Sequence, residues 1–260
     1  MRFRPCIDLH DGAVKQIVGS TLTLDGAAPT TNFVASEPSS YFAAMYARDA
    51  LPGGHVIMLG GGSANEAAAI AALKAFKGGL QVGGGITPAN AQRFLDAGAS
   101  HVIVTSYVFR EGRIDWDRLA ELENAVGASR LVLDVSCRKR AADGAFIVMT
   151  DRWTTWTEEI VTPALLSLLG THCAEILVHA VDVEGKREGV NDDLVTLLGA
   201  AAAAPNAPGA ITYAGGVRNI LDIERVRELG GGLVDVSVGS ALDIFGGDLP
   251  YATLVEWTKK

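Results

Sequence analysis

The feature that most constrains the fold is a strand, glycine turn, helix and strand unit that occurs twice in the chain. The first copy runs from Leu80 to Ser106 (LQVGGGITPANAQRFLDAGASHVIVTS). Short apolar runs rich in β-branched residues stand at its ends, and the amphipathic segment between them begins at Thr87 and ends at Gly98. The second copy is ITYAGGVRNILDIERVRELGGGLVDVSVGSALD. Two such units predict a chain built from two repeated halves.

In both copies, glycines lie where a strand has ended and a helix has yet to begin. Bare backbone N–H groups and a helix N-terminus can hold a phosphate there. The hydroxyls after the next strand of each copy could simply cap a helix, but beside a glycine turn they are also phosphate donors. The candidate phosphate-binding residues are Gly83, Gly84, Gly85, Thr105, Ser106, Gly215, Gly216, Gly239 and Ser240. Two such sites predict a small-molecule ligand with two phosphates.

The length of 260 residues suits one (β/α)8 barrel, whose usual size is about 250 residues. Eight alternations of strand and helix favour this α/β fold, a TIM barrel with two-fold repeated halves, over a doubly wound sheet. We expect a single barrel domain, residues 1–260, with half-barrels at about 1–127 and 128–260. The predicted helices are Ser39–Asp49, Asn65–Phe76, Thr87–Gly98, Asp115–Val126, Pro163–Leu169, Asp192–Ala203, Asn219–Leu229 and Pro250–Lys260.

Two connections are too long for plain β-to-α turns. Leu9–Ser36 follows the first predicted strand, Arg4–Ile7, and Ser136–Glu159 follows the fifth, Arg130–Leu133. Asp143-Gly144 in the second connection predicts a small hairpin above the barrel. Long loops at this end of a barrel usually carry function.

Charge and cysteine content exclude several classes of partner. The net charge of −8 and pI of about 5.1 argue against nucleic acid and membrane surfaces, which need a basic face. Cys6, Cys137 and Cys173 are odd in number and lack metal-ligand spacing, which predicts reduced, buried thiols. No secretory segment follows Met1. We expect a cytoplasmic monomer without a nucleic-acid or membrane partner.

Asp8 and Asp134 follow the first strands of the two halves. Active sites of barrels form at these strand ends. Each aspartate could instead cap a turn or pair with a basic neighbour such as Lys15 or Arg138. As an equivalent pair facing one mouth they predict catalysis, because two carboxylates in different environments can divide into an acid and a base.

His179, at the end of the sixth predicted strand, and Glu184, shortly after it, are further candidates. His179 could equally be a hydrogen-bonded structural histidine of the barrel. Trp153 and Trp156 either pack a lid on the barrel or form a stacking platform for a planar base. The residue pattern leaves these alternatives open.

Several segments together resemble one known family: CIDLHDGAVKQIVGSTL, LQVGGGIT, VIVTS, LDVSCRK, HAVDVEG, TYAGGV and VGSALDIFGG. They resemble the histidine-biosynthesis isomerases that act on phosphoribosylformimino-aminoimidazole carboxamide ribonucleotide (ProFAR), and most closely their fungal and other eukaryotic forms. The resemblance covers about Cys6 to Gly247. Single motifs are shared with the sister cyclase of the same pathway, whereas SCRK, HAVDVEG and SALDIFGG in sequence favour the isomerase.

The resemblance implies an Amadori rearrangement that uses no cofactor and no metal and converts an N-substituted aminoaldose into an aminoketose. A general acid protonates the ribose ring oxygen, and a general base removes the proton from C2. By the family pattern Asp8 corresponds to the base and Asp134 to its partner carboxylate. Bacterial relatives have an Asp-Gly pair where this chain has Glu184-Gly185, and threonine where it has His179. Whether Asp134 or Glu184 donates the proton therefore stays open.

The resemblance also implies substrate contacts. The two glycine turns correspond to the family's two phosphate sites, Trp153 resembles a loop tryptophan that stacks on the aminoimidazole, and Arg138 is a further candidate for substrate binding. Two alternatives remain. One is a cyclase-type lyase that needs ammonia from a glutaminase partner, for which Lys15 leaves room. The other is a barrel that binds phosphosugars without catalysis.

Overall fold

A computed structural model describes residues 1–18, 21 and 30–259. Its strands, in chain order, are β1 (Phe3–His10), β2 (Ala13–Ile17), β3 (Thr31–Val34), β4 (Gly54–Met58), β5 (Leu80–Gly83), β6 (Val102–Val104), β7 (Phe109–Arg110), β8 (Arg113–Ile114), β9 (Leu131–Asp134), β10 (Cys137–Lys139), β11 (Phe146–Thr150), β12 (Thr155–Ile160), β13 (Glu175–His179), β14 (Ile211–Ala214) and β15 (Asp235–Val238). Its α-helices are α1 (Ser39–Arg48), α2 (Ser63–Ala75), α3 (Pro88–Ala97), α4 (Trp116–Val126), α5 (Pro163–Gly170), α6 (Asp192–Ala202), α7 (Ile220–Leu229) and α8 (Tyr251–Trp257).

Eight parallel strands form a closed barrel in the order β1-β4-β5-β6-β9-β13-β14-β15. The sheet closes where β15 pairs in parallel with β1, from Phe3 opposite Val236 to Pro5 opposite Val238. A helix follows each of these strands before the next one. The predicted (β/α)8 fold is confirmed, and closure leaves the barrel sheet without a free edge.

Both faces of the barrel strands are buried, because successive side chains point to opposite sides of the sheet. In β6, Ile103 joins a small inner cluster with Val132 and Leu177, whereas Val102 and Val104 join the larger cluster that includes the helices. A strand such as β6 therefore appears in the sequence as a short continuous apolar run.

The helix predicted in the first repeat unit is confirmed, and its ends are set by local chemistry. Thr87 is the N-cap of α3 and forms a capping box with Asn90, and Pro88 occupies the first turn. Gly98 ends the helix with a φ of 117°, a conformation that glycine adopts without strain. The last helix is shorter than predicted, since α8 ends at Trp257; Lys260, its predicted end, lies outside the described residues.

The prediction for the first long connection is wrong in its described part. β1 extends to His10, beyond the predicted end at Ile7, and turns back through Asp11 and Gly12, whose φ values are 53° and 77°. This Asp-Gly turn, of the kind that joins hairpin strands, leads into the antiparallel β2, which pairs with β3. Residues 19–20 and 22–29 of the connection lie outside the described part of the chain.

The hairpin predicted in the second long connection is confirmed but has an additional strand. β10, β11 and β12 form a three-stranded antiparallel sheet. β12 is mostly exposed or half-buried and carries polar side chains at several positions, so its sequence lacked an apolar strand pattern. The turn between β11 and β12 carries Asp151 and Trp153 to the mouth of the barrel.

A network of buried charges fills the end of the barrel where the strands begin. Nη2 of Arg4 lies 2.7 Å from Oδ2 of Asp235, and Nη1 of Arg4 lies 3.1 Å from Oε2 of Glu175. Gln81 and Thr212 donate hydrogen bonds of 2.7 and 2.6 Å to the Glu175 carboxylate. Each carboxylate is therefore paired and hydrogen-bonded, as buried charges must be.

Removal of the cation from this network should destabilise the fold. Arg4→Met should lower the free energy of unfolding by about 3–5 kcal/mol, because it leaves Glu175 and Asp235 buried without their cation. Arg2→Met is the matched control, since Arg2 also pairs with Asp235 but its side chain is 60% exposed; its loss should stay below about 1 kcal/mol. Urea denaturation measures both losses, and equal losses would contradict the assigned role of the network.

Candidate active site

One cavity of about 900 Å³ opens where the barrel strands end, within the range of small-molecule sites. The structure brings most of the predicted site residues together in its wall. They are Asp8, Gly84, Gly85, Thr105, Ser106, Asp134, Trp153, His179, Glu184, Gly215, Gly216, Gly239 and Ser240. Residues from all the barrel strands or the loops after them thus meet at one mouth.

Two predicted site residues lie outside this lining. Gly83 is the last residue of β5, and a Cβ added there would lie 2.8 Å from Cδ1 of Ile57. Arg138 lies in β10, with its Nε 3.1 Å from Oδ1 of Asp182 and its guanidinium 5.9 Å from the ring of Trp156. Gly83 therefore belongs to the barrel wall, and Arg138 to the small sheet above it.

The glycine turns serve protein packing as well as the cavity. At Gly84, with φ of 97°, a Cβ would lie 2.1 Å from the carbonyl oxygen of Met58. At Gly216, with φ of 76°, it would lie 2.1 Å from the carbonyl oxygen of Gly189. Gly85 differs, because with φ of 71° a Cβ there would meet nothing within 4 Å. Of these three glycines, only Gly85 has open space on the side that a side chain would occupy.

The two hydroxyls after β6 already have protein partners. Oγ of Ser106 accepts a hydrogen bond of 3.0 Å from the backbone N–H of Asp151. Oγ1 of Thr105 lies 3.5 Å from Oδ2 of Asp134. Ser106 therefore ties the β11–β12 turn to the barrel and keeps its own hydrogen available to an acceptor in the cavity.

Asp8 has weak donors around it. Nε2 of Gln16 donates to its Oδ2 over 3.3 Å, and Sγ of Cys6 lies 3.9 Å from the same oxygen. Burial and then the negative charge of Glu184 raise the pKa of Asp8 to about 7, although His179 opposes the shift. A carboxyl group with this pKa suits general-base catalysis near neutral pH.

Strong hydrogen-bond donors keep Asp134 ionised, in contrast to Asp8. It is buried and accepts hydrogen bonds from the backbone N–H of Ser136 at 2.8 Å and from the Ser136 hydroxyl. Burial acts to raise the pKa of Asp134, but the charge of His179 and the hydrogen bonds outweigh it and hold the pKa below its ordinary value. Asp134 is therefore a carboxylate, whereas Asp8 titrates near neutrality.

His179 completes this cluster from the end of β13. Its Nδ1 lies 3.0 Å from Oγ of Ser136 and 3.5 Å from Oδ2 of Asp134. Burial acts to lower the pKa of His179, but the charges of Asp134, Glu184 and Asp8 outweigh it and raise the pKa above its ordinary value. Burial also raises the pKa of Glu184. Three carboxyl groups thus surround one imidazolium.

The structure separates the two candidate tryptophans. The ring centroid of Trp153 lies 5.3 Å from that of His179, and the residue lines the cavity. Trp156 is 46% exposed and lies beside Arg138, outside the lining. Asp151, Arg152 and Trp153 all have positive φ, between 51° and 63°, at a cost of roughly 1–2 kcal/mol each. The turn therefore holds Trp153 over the site at the cost of backbone strain.

Sequence reasoning missed several residues in and around this site. Ser136 and Gln16 donate to the two aspartates, and buried His55 has its pKa lowered to about 3, mainly by burial. The Asp134-x-Ser136 spacing was a readable signal for a local hydrogen bond. Gln16 carried no such signal, because it reaches Asp8 through the unpredicted strand β2.

Among residues 1–18, 21 and 30–259, no three or more His, Cys, Asp or Glu side chains are grouped so that they could hold a metal ion. In the same part of the chain, no helix is long and apolar enough to cross a membrane.

The sequence matches a family model described as "Histidine biosynthesis protein" over residues 2–249. The chain belongs to this family. Individual proteins that resemble this chain over its full length give a more specific comparison. A chloroplastic protein of Medicago truncatula is 49% identical over 261 residues, which cover 99% of this chain and 81% of the relative. A protein of Yarrowia lipolytica is 46% identical over 264 residues, covering 100% and 98% of the two chains.

A Neurospora crassa protein is 46% identical over 262 residues, which cover 100% of this chain and 99% of the relative. All three relatives are named 1-(5-phosphoribosyl)-5-((5-phosphoribosylamino)methylideneamino) imidazole-4-carboxamide isomerase, the enzyme also called ProFAR isomerase. Within the histidine biosynthesis family these names support the isomerase and do not favour the cyclase alternative.

The glycine geometry predicts different effects at neighbouring positions. Gly84→Ala should lower the free energy of unfolding by several kcal/mol more than Gly85→Ala, because its Cβ must displace the Met58 carbonyl. Gly85→Ala carries only the strain of a positive φ, about 1–2 kcal/mol. Thermal and urea unfolding of the two variants measure the difference, and a Gly84→Ala protein as stable as Gly85→Ala would refute the packing described for this turn.

Proposed function

We propose that this chain is a ProFAR isomerase that catalyses an Amadori rearrangement in histidine biosynthesis. One observation carries the proposal: Asp8 and Asp134 face one cavity with pKa values shifted in opposite directions. An aldose-to-ketose isomerase needs one group that accepts a proton from carbon and a second centre that supplies a proton to oxygen. A barrel that only binds phosphosugars has no need of such an arrangement.

Asp8 acts as the general base. Once the ribose ring has opened to a protonated Schiff base, the Asp8 carboxylate removes the proton from C2, and the resulting enolamine becomes the ketose. Its pKa of about 7 makes it a stronger base than an ordinary aspartate while leaving it substantially ionised near neutral pH. Gln16 and Cys6, at 3.3 and 3.9 Å, hold the carboxylate in place.

The two phosphates of the substrate bind at the two glycine turns. One site comprises Gly84 and Gly85 with Thr105 and Ser106, and the other comprises Gly215 and Gly216 with Gly239 and Ser240. A net charge of −8 provides no general attraction for a bisphosphate, so backbone N–H groups and hydroxyls supply the attraction locally. Trp153 stacks on the aminoimidazole between these sites.

The rearrangement requires only proton transfers, so the enzyme uses no cofactor and no metal. We also propose that it acts as a single barrel domain and as a monomer in the cytoplasm, without nucleic-acid or membrane partners. The acidic composition supports the last point. The name of the Medicago relative specifies the chloroplast, so its location differs from the one proposed for this chain.

The direct test is an absorbance assay of purified protein with the aminoaldose ProFAR, in buffer treated with EDTA and free of ammonia. We expect formation of the ketose at a rate that neither ammonia nor a divalent metal increases. Ammonia-dependent consumption of the ketose would instead identify a cyclase. Binding of ProFAR without turnover would identify a barrel that only binds phosphosugars.

Asp8→Asn should reduce kcat by about 10²–10⁴-fold, because an amide of nearly the same shape cannot accept the C2 proton. Asp143→Asn is the matched control: Asp143 is exposed in the β10–β11 turn and pairs with Arg140. It should keep the wild-type kcat. Steady-state kinetics measures both, and an Asp8→Asn enzyme with more than about a tenth of wild-type kcat would remove Asp8 as the base.

The same substitution should stabilise the fold in a pH-dependent way. The folded state raises the pKa of Asp8 from 3.8 to about 7, so it binds more protons than the unfolded state and loses stability as the pH rises through this interval. Asp8→Asn removes that loss. Its Tm should exceed the wild-type Tm at pH 8 by more than at pH 5. A gain that is the same at both pH values would show that Asp8 keeps an ordinary pKa.

A further inference from the structure

We infer that the proton that opens the ribose ring comes from the His179 imidazolium, held by Asp134 through Ser136, and not from a carboxyl group. This inference rests on the proposed isomerase activity and concerns the identity of its general acid. Both carboxyl candidates for that role, Asp134 and Glu184, lie in the same cavity. The hydrogen-bond geometry distinguishes Asp134 from His179, and the Glu184→Gln variant below tests the third candidate.

The contacts of Asp134 make it an acceptor. Its Oδ1 receives the Ser136 N–H over 2.8 Å and the Ser136 hydroxyl. Its Oδ2 lies 3.5 Å from both Thr105 Oγ1 and His179 Nδ1. All these neighbours can donate to the carboxylate, and a protonated Asp134 would forfeit part of this network. Asp134 is therefore built to stay ionised and not to deliver a proton.

The Ser136 hydroxyl determines which nitrogen of His179 carries hydrogen. A serine hydroxyl has one hydrogen, and here it is given to Oδ1 of Asp134. Oγ of Ser136 also lies 3.0 Å from Nδ1 of His179, so in that contact it must accept. Nδ1 therefore donates. The other ring nitrogen, Nε2, has no hydrogen-bond partner among the described residues and is the one that can exchange a proton with a substrate in the cavity.

The charges around His179 favour its protonated form. Asp134 in β9, Asp8 in β1 and Glu184 after β13 all raise the pKa of His179, to about 9 in spite of its burial. The titratable group that faces it from β4 is His55, whose own pKa is lowered to about 3. His55 is therefore neutral near pH 7, and His179 is the one imidazolium among these groups.

The proton transfers balance over one turnover. Nε2–H of His179 protonates the ring oxygen while the C1–O bond breaks and the nitrogen lone pair forms the C1=N bond. Asp8 takes the C2 proton, and the electrons form C1=C2 while the C1=N π electrons return to nitrogen. The enolamine then receives the proton of Asp8 at C1 and gives its hydroxyl proton to His179. Both groups end the cycle as they began.

His179→Gln tests the inference with the wild-type assay as reference. We expect kcat to fall by about 100-fold or more while KM changes little, because only the proton donor is removed. His172→Gln is the matched control, since His172 pairs with Glu123 outside the cavity, and it should keep the wild-type kcat. Glu184→Gln should keep the fall of kcat at high pH that the wild type shows.

Ser136→Ala provides a second readout, which also applies if His179→Gln fails to fold. A general acid must be protonated, so wild-type kcat should decline as the pH rises through about 9. Without Ser136 the contact that holds Nδ1–H is lost, and the decline should move to lower pH by about one unit or more. A role of Ser136 limited to stability would lower Tm and leave this decline in place.

Three results would overturn the inference. They are a His179→Gln enzyme within tenfold of wild-type kcat, a decline at high pH that disappears in Glu184→Gln, and a Ser136→Ala profile with an unchanged decline. Each is read against a wild type that turns over ProFAR. A wild type without turnover would instead overturn the proposed function, so the two failures are distinguishable.

Discussion

The parallel pairing of β1 with β15 is the constraint on which the rest of the structure depends. It joins the first strand of the chain to the last barrel strand, with Phe3 opposite Val236. Because every barrel strand runs in the same direction, closure gathers all the strand ends around one mouth. Asp8 and His179, far apart in sequence, become neighbours in one electrostatic field only because the sheet closes.

Within that field, one residue type serves two purposes. Asp8 and Asp134 lie near the C-terminal ends of β1 and β9, yet weak donors surround Asp8 and a serine and a histidine hold Asp134 ionised. Burying these groups costs stability, as do three consecutive residues with positive φ at Trp153. The well-paired charges around Arg4, at the opposite end of the barrel, stabilise the fold independently of the active-site residues.

Sequence patterns predicted the barrel, most helices and part of the cavity lining, because these depend on local signals: apolar runs, caps, and glycines after strands. They failed where tertiary pairing determines whether a strand forms or which side chains meet. β2 and β12 are short, partly polar strands that exist because a neighbour pairs with them, and Gln16 reaches Asp8 only through β2. The packing role of Gly84 and the contact of Ser136 with His179 likewise depend on distances that spacing does not encode.

In the complex that we propose, one bisphosphate spans the cavity with its sugar between Asp8 and His179. A crystal structure of the Asp8→Asn protein with ProFAR bound tests it most directly. We expect one phosphate at Gly85 and Ser106, the other at Gly216 and Ser240, and Nε2 of His179 within hydrogen-bond distance of the ribose ring oxygen. A substrate with both phosphates away from the glycine turns, or with Glu184 in place of His179 at that oxygen, would contradict it.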